Sequence, residues 1–201
     1  LYYNNEKIAA GYLPYPTGEE LRTNYSKNFN RVVMSTFTNE HLLTAGDRKF
    51  RKTGNFMEPG APELFNLHLL KGTSVNLQDP STMLIAASLA KALFGSEEPL
   101  GQILKVDNMH DVKITGVYDD FPYNSDFRDV TFIGSWELFH LMNPKFKSNP
   151  KPWGSYKFQC FVELPENSNV DAASVAIKDI MMRKLPAEDT KSLRPAMFLY
   201  P

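Results

Sequence analysis

The chain has 201 residues, 42% hydrophobic and 22% charged, ordinary for a globular protein and enough to bury a core as one large domain or two small ones. A net charge of −1 with scattered basic residues gives no electrostatic footprint for nucleic acid, and a single cysteine, Cys160, excludes an internal disulfide. No run approaches the roughly 18 to 20 apolar residues that span a bilayer, and no basic-then-apolar leader opens at Leu1.

The opening alternates weakly, and Lys7 to Leu13 reads as a strand. Pro14 and Pro16 bracket a turn, and Thr17-Gly18-Glu19-Glu20 reads as a capping box that opens a helix to about Lys27. Val32 to Phe37 is a β-branched and aromatic strand. His41 to Thr44 and Lys49 to Phe56 pair as a hairpin across Ala45-Gly46-Asp47-Arg48. Lys49, Arg51 and Lys52 cluster on its second strand, where a solvated edge that discourages edge pairing is favoured over an anion site.

Glu63 to Leu70 reads as a short helix closed by Gly72 in the left-handed position. Thr82 to Ala86 is a buried strand that runs straight into a helix ending at Phe94-Gly95. Alanine at 86 cannot cap that helix, a deficit of about 1 kcal/mol that Ser88 makes good only in part. Gln102 to Val106 and Asp111 to Tyr118 are strands joined by a turn at Asp107 to His110, and Gly116 signals a bulge or a close backbone approach. Asp129 to Ile133 reads as a strand, and Ser135 caps a helix from Trp136 to Met142. The lysine- and proline-rich stretch from Asn143 to Gly154, with Pro144, Pro150 and Pro152, reads as a loop or subdomain boundary. Tyr156 to Leu164 is a strand. One long helix opens at Ser168 or Asn169 and runs to about Lys184, with Val170, Ala173, Ile177, Ile180 and Met181 on one stripe. Ala196 to Tyr200 reads as a final strand.

Motifs that carry chemistry are sparse. His41, His68, His110 and His140 are spaced without any zinc pattern, and Asp107, Asn108 and Asp111 lack the order of a calcium loop. Cys160 lies in an apolar run and reads as a small buried hydrophobe. Asp119 and Asp120 are neighbours on a strand end, so they point to opposite faces and do not share a proton. Ser88 and Lys91 match S-x-x-K at a helix start, the one hydrolase pattern present, but S-D-N and K-T-G are absent. No Walker A or dinucleotide fingerprint occurs. No catalytic, cofactor-binding or metal residue is assigned, and no cofactor is expected.

The stretch from Gly54 to Ser125 organises the chain. Phe65, Leu67, Leu70 and Gly72, then Ser88, Ala90, Phe94, Gly95, Pro99, Gly101 and Leu104, then Val112, Gly116, Val117, Asp119, Pro122, Ser125 and Phe127 form three motifs in order. This pattern resembles the MacB-type periplasmic core domain of FtsX-like ABC transporter permeases. The resemblance implies an α+β fold of mixed sheets with short helices in two lobes. The chain ends, 1–45 and 152–201, would form a membrane-proximal lobe, and 46–151 an inserted lobe. It further implies a non-enzymatic periplasmic domain of an inner-membrane permease, lying between two membrane helices and coupling ATP-driven helix motion to the outside. Its implied partners are a cytoplasmic ABC ATPase, a twin copy in a homodimer or pseudo-dimer, and a periplasmic adaptor or exported cargo, with no nucleic acid. Phe146, Trp153 and Tyr123 are candidate contacts, each equally readable as a core-edge residue. A free-standing periplasmic binding or adaptor module of the same fold is the alternative.

Overall fold

The computed structural model describes residues 2–3, 6–7, 11–148 and 153–200. The chain divides into two compact units, Leu1–Met34 with Pro150–Pro201, and Ser35–Asn149. The fold is α+β, with mixed sheet and several short helices.

In the unit 35–149, six strands close on themselves. Asn39–Ala45 and Arg48–Met57 form an antiparallel hairpin over a turn where Gly46 takes φ +57°. Asn39–Ala45 also pairs with Ile103–Val106, which pairs antiparallel with His110–Tyr118. His110–Tyr118 lies parallel to Thr82–Ala86, which lies antiparallel to Phe132–Ser135. Phe132–Ser135 then lies parallel to Arg48–Met57 and completes the ring. Leu69–Gly72 adds a short antiparallel strand on His110–Tyr118, opposite Gly116 to Tyr118. Closure leaves these six strands few free edges, which removes the usual hazard of edge-to-edge pairing.

The alternation of the strands supplies the core. Leu43, Phe56, Met83, Ile85, Leu104, Val106, Val112, Ile114 and Phe132 form one buried cluster with Leu89, Leu93 and Leu138 from the two helices Ala87–Phe94 and Trp136–Met142. Each such side chain contributes about 1.5–3 kcal/mol by leaving water. The closing seam has a specific device. Gly54 stands opposite Phe132, and Gly134 stands opposite Phe56. A Cβ on Gly54 would fall 2.4 Å from the Phe132 ring, and one on Gly134 would fall 2.6 Å from the Phe56 ring. Each glycine therefore makes the space its partner's ring occupies, and the two rings meet edge to face at 6.2 Å. The His41 ring lies edge-on to both, at 5.1 and 5.7 Å, with Nδ1 2.7 Å from Asp107 Oδ2.

In the unit formed by the chain ends, Tyr156–Glu163 pairs with Leu13–Pro14, and the Asn30 amide donates to the Glu163 carbonyl at 2.8 Å. The core joins Leu21 and Phe29 to Ala173, Ile177, Ile180, Met181 and Met197. The Glu20 carboxylate meets Lys184 at 2.7 Å, and the Arg31 guanidinium meets Glu163.

Several elements differ from the sequence expectation, each for a physical reason. Glu63 to Leu70 is not one helix: Ala61–Leu64 is a single turn, Asn66 breaks it at φ 48°, and Leu69–Gly72 becomes a strand because His110–Tyr118 offers it an edge. Gly72 does take a positive φ, +75°, but inside that strand, where a Cβ would lie 2.1 Å from the Thr115 carbonyl oxygen. The long helix is two helices, Val170–Ile177 and Ile180–Lys184, and the Lys178 carbonyl at the break accepts from the Met197 amide at 3.1 Å. The final segment is no strand: it lies along Val170–Ile177, with the Leu199 amide donating to Ser174 Oγ at 2.9 Å. The helices Ala187–Leu193 and Lys145–Ser148 fall where no helix was expected. The strand expected at 129–133 sits at Phe132–Ser135, where the Gly54 seam fixes its register. The capping box does not form: Thr17 is the first helical residue with a buried, unpartnered hydroxyl, and Glu20 pairs with Lys184. That helix stops at Asn24. Residues 39–45 pair along their whole length with 48–54 and so belong with the unit 35–149. Part of the Lys7–Leu13 strand, together with Pro150 and Pro152, lies outside the described residues.

The seam is testable. Gly54→Ala and Gly134→Ala should each destabilise the chain by about 1–3 kcal/mol, because a methyl group forces a packed ring out of place. Gly11→Ala, where the added Cβ meets nothing within 4 Å, should change stability by less than about 0.5 kcal/mol. Urea unfolding of the three variants against wild type checks both.

Candidate functional site

The chemistry-bearing side chains collect where His110–Tyr118 ends. Asp119 and Asp120 diverge there. Asp119 Oδ2 lies 2.6 Å from His68 Nδ1, and the Asp119 amide donates to the His68 carbonyl at 2.9 Å. Asp120 turns the other way. Its carboxylate accepts from the Ser88 amide at 2.9 Å and from the Ser88 hydroxyl. Helix Ala87–Phe94 has no cap of its own at Ala86, so Asp120 caps it from a distant strand and sets a negative charge at its positive end. The other end is closed by the Arg48 guanidinium, which donates to the Leu93 carbonyl.

This arrangement decides what the S-x-x-K pattern becomes. The Ser88 hydroxyl is committed to a carboxylate and Lys91 is exposed, so the lysine is not presented to the serine as a base. The histidines are dispersed. His41 serves the barrel seam with Asp107, His68 pairs with Asp119, and His140 lies 3.3 Å from Glu137. No group of three or more His, Cys, Asp or Glu is placed to hold a metal among the described residues. Asp107 and Asn108 both take positive φ, 49° and 60°, as a hairpin turn requires, and Asp111 pairs with Lys105 at 2.9 Å. Cys160 packs against the core of the chain-end unit. Lys49 and Arg51 are exposed on a strand whose second partner begins only at Gly54.

What the sequence alone does not reveal is an aromatic loop tied together by ring contacts. Tyr118 is wholly buried and its hydroxyl donates to the Val130 carbonyl at 3.1 Å, which ties the two ends of the loop together. Burial, aided by the Asp120 charge, pushes its phenol well above the usual range. The rings continue outward: Tyr118 to Phe121 at 5.7 Å, Phe121 to Phe127 at 5.5 Å, Phe127 to Phe65 at 5.0 Å. Of the three candidate contact residues, Phe146 packs on Phe139 at 5.4 Å and Trp153 packs against the chain-end core under the Lys184 ammonium. Only Tyr123 stands clear, 87% exposed.

The chain matches the family model of the MacB-like periplasmic core domain over residues 3–180. It belongs to that family. Domains of this family are periplasmic parts of ABC transporter permeases, which work with cytoplasmic ATPases. Three solved structures share the fold. A domain of a proposed permease from Porphyromonas gingivalis is 19% identical, covers 89% of this chain and 81% of its own, and superposes with a TM-score of 0.69. The periplasmic region of MacB from Actinobacillus actinomycetemcomitans is 15% identical with TM-score 0.64, over 95% of this chain and 86% of that one. The extracellular domain of the noncanonic ABC-type transporter YknZ from Gram-positive bacteria is 14% identical with TM-score 0.64, over 96% and 91%. No curated protein matches the sequence. As a MacB-like periplasmic core domain, the chain is a periplasmic piece of an inner-membrane transporter family, and no helix among its described residues is long and apolar enough to cross a membrane.

Two variants test the strand-end chemistry. Asp120→Ala should cost about 1 kcal/mol by uncapping Ala87–Phe94, and adding Ala86→Ser should restore most of it; thermal unfolding reads both. Tyr118→Phe should cost about 0.5–1.5 kcal/mol at neutral pH through the lost bond to Val130. Because the folded phenol holds its proton above the ordinary value of about 10, its stabilising effect is complete below that pH and falls as pH rises through it. The gap between wild type and Tyr118→Phe should therefore narrow above about pH 10, measured by urea unfolding across the alkaline range.

Proposed function

We propose that the chain relays movement: nucleotide-driven displacement of membrane helices in its permease reaches this domain and is passed to partners or cargo outside the membrane, with no chemistry of its own. The observation that carries this reading is the family match over residues 3–180. It is supported by where the reactive side chains are spent. Ser88, Asp119, Asp120, His41 and His68 all serve capping, pairing or packing. A barrel closed by a packed seam suits transmission, since a close-packed interior moves as one body and does not absorb displacement. We assign the membrane-proximal lobe to the unit of the chain ends and the inserted lobe to residues 35–149. The partners of this reading are a cytoplasmic ATPase, a twin copy of the permease, and an extracytoplasmic adaptor or the exported cargo.

The test uses the natural full-length protein in its membrane. Cys160→Ser removes the one cysteine of these residues, and Tyr123→Cys places a new one at an exposed position. A membrane-impermeant maleimide applied to intact spheroplasts should label Tyr123→Cys as fully as it does after lysis. Protection until lysis would place the domain on the other side and end the reading. Labelling of a protein released with the soluble fraction would favour a free-standing module.

A further inference from the structure

Closure of the strand ring leaves a free run of edge on Arg48–Met57. Residues 48–54 pair with Asn39–Ala45 in unbroken register, and the partner on the other side, Phe132–Ser135, begins only at Gly54. Thr53 shows which way the strand faces. Its carbonyl accepts from the Thr131 amide at 2.8 Å and from the Thr131 hydroxyl at 2.9 Å, on the side away from Asn39–Ala45. Backbone polar groups alternate sides along a paired strand, so the amides and carbonyls of Lys49 and Arg51 face out as those of Thr53 do. The segment beside Thr53 turns off before it reaches them, because the Val130 amide donates to the Phe127 carbonyl and the Val130 carbonyl accepts from the Tyr118 hydroxyl. Among the described residues, no strand pairs with 49–52 on that side. The same run is strongly charged: Arg48, Lys49, Arg51 and Lys52 place four cations in five positions. Phe50 turns to the core, so Lys49 and Arg51 on either side of it project outward, and both are exposed. Among the described residues no carboxylate forms an ion pair with any of the four, although Glu40 and Asp47 flank the row, and Arg48 gives its guanidinium to the Leu93 carbonyl.

We propose that this edge seats an extended acidic segment of a partner protein, which adds a strand along residues 49–53 with carboxylates opposite Lys49 and Arg51. Two independent features point to that occupant. A row of outward amides and carbonyls is a template for an extended backbone, and the bonds it offers do not depend on the partner's side chains. The uncommitted cations then select the sign of charge. On an added strand, the residues opposite Lys49 and Arg51 lie two apart and project to the same outer face as those cations, so the segment that fits is acidic at alternate positions. The residue between them lies beside Phe50 and takes an uncharged side chain. A second copy of this chain is a poor occupant, since it would bring four cations of its own against these. The charge that bars self-pairing is the charge that admits an acidic strand.

The seat goes beyond the relay reading and does not rest on it, because it is tested on the folded chain without a membrane. The measurement is amide hydrogen exchange read residue by residue by NMR. In the chain alone, the Lys49 and Arg51 amides should exchange about tenfold or more faster than those of Phe50 and Lys52, which bond to Asn39–Ala45. The probe is a synthetic peptide of alternating glutamate and threonine, capped at both ends, and its control carries lysine in place of every glutamate. At saturation the glutamate peptide should slow exchange at Lys49 and Arg51 by about tenfold or more, and the lysine peptide should leave both unchanged. The double variant Lys49→Gln/Arg51→Gln should bind the glutamate peptide about tenfold or more weakly while keeping the protection of Phe50 and Lys52, which reports that its hairpin is intact. Slow exchange at Lys49 and Arg51 in the dilute chain would show the edge already covered and overturn the proposal. So would protection that grows with protein concentration alone, equal binding of the lysine peptide or of the double variant, no binding of the glutamate peptide, or binding that leaves the two amides exchanging.

Discussion

The closed barrel depends on two glycines facing two phenylalanines. Gly54 opposite Phe132 and Gly134 opposite Phe56 let a parallel pair of strands come together with their rings lying across the partner backbone. Any side chain at either glycine would occupy the ring's place. With the seam shut, Arg48–Met57 gains a second partner, Leu43, Ile85 and Ile114 become interior, and the ring of strands has few edges left to protect. The His41 ring then sits on both phenylalanines, so the seam also fixes the Asp107 turn through the bond to Nδ1.

From that frame the strand end at Asp119 and Asp120 takes its meaning. One carboxylate holds the His68 side chain, and the other starts a helix whose own first residue cannot. Polar groups that might have done chemistry are thereby used to join elements distant in sequence. These joints lie in a domain of a family whose members are periplasmic parts of ABC transporter permeases.

The two units differ in how they are held. The barrel unit rests on strand pairing and one apolar cluster. The chain-end unit rests on helices packed over a short sheet, with ion pairs such as Lys184 to Glu20 joining the two ends of the sequence. That pair is partly buried, and it adds to the apolar contacts of Leu21, Ile177 and Ile180 that form the core of the unit.

The sequence by itself determined the family, the α+β class, the hairpins at Gly46 and Asp107, the helix capped by Ser135 and the bulge at Gly116. These rest on local chemistry: positive-φ residues at turns, alternation along strands, an oxygen at a helix start. Tertiary structure decided the rest. The segment Leu69–Gly72 reads as helix until an edge of His110–Tyr118 is offered to it, and the long C-terminal helix reads as continuous until the Met197 amide claims the Lys178 carbonyl. Ser88 and Lys91 look like a nucleophile and base until Asp120 arrives from 32 residues away. Tyr123 was one of three equal candidates until its neighbours Phe121 and Phe127 were seen to turn inward and leave it outside. In each case the deciding partner is far along the chain, and pairing energy at a distance overrides preferences that extend only a few residues.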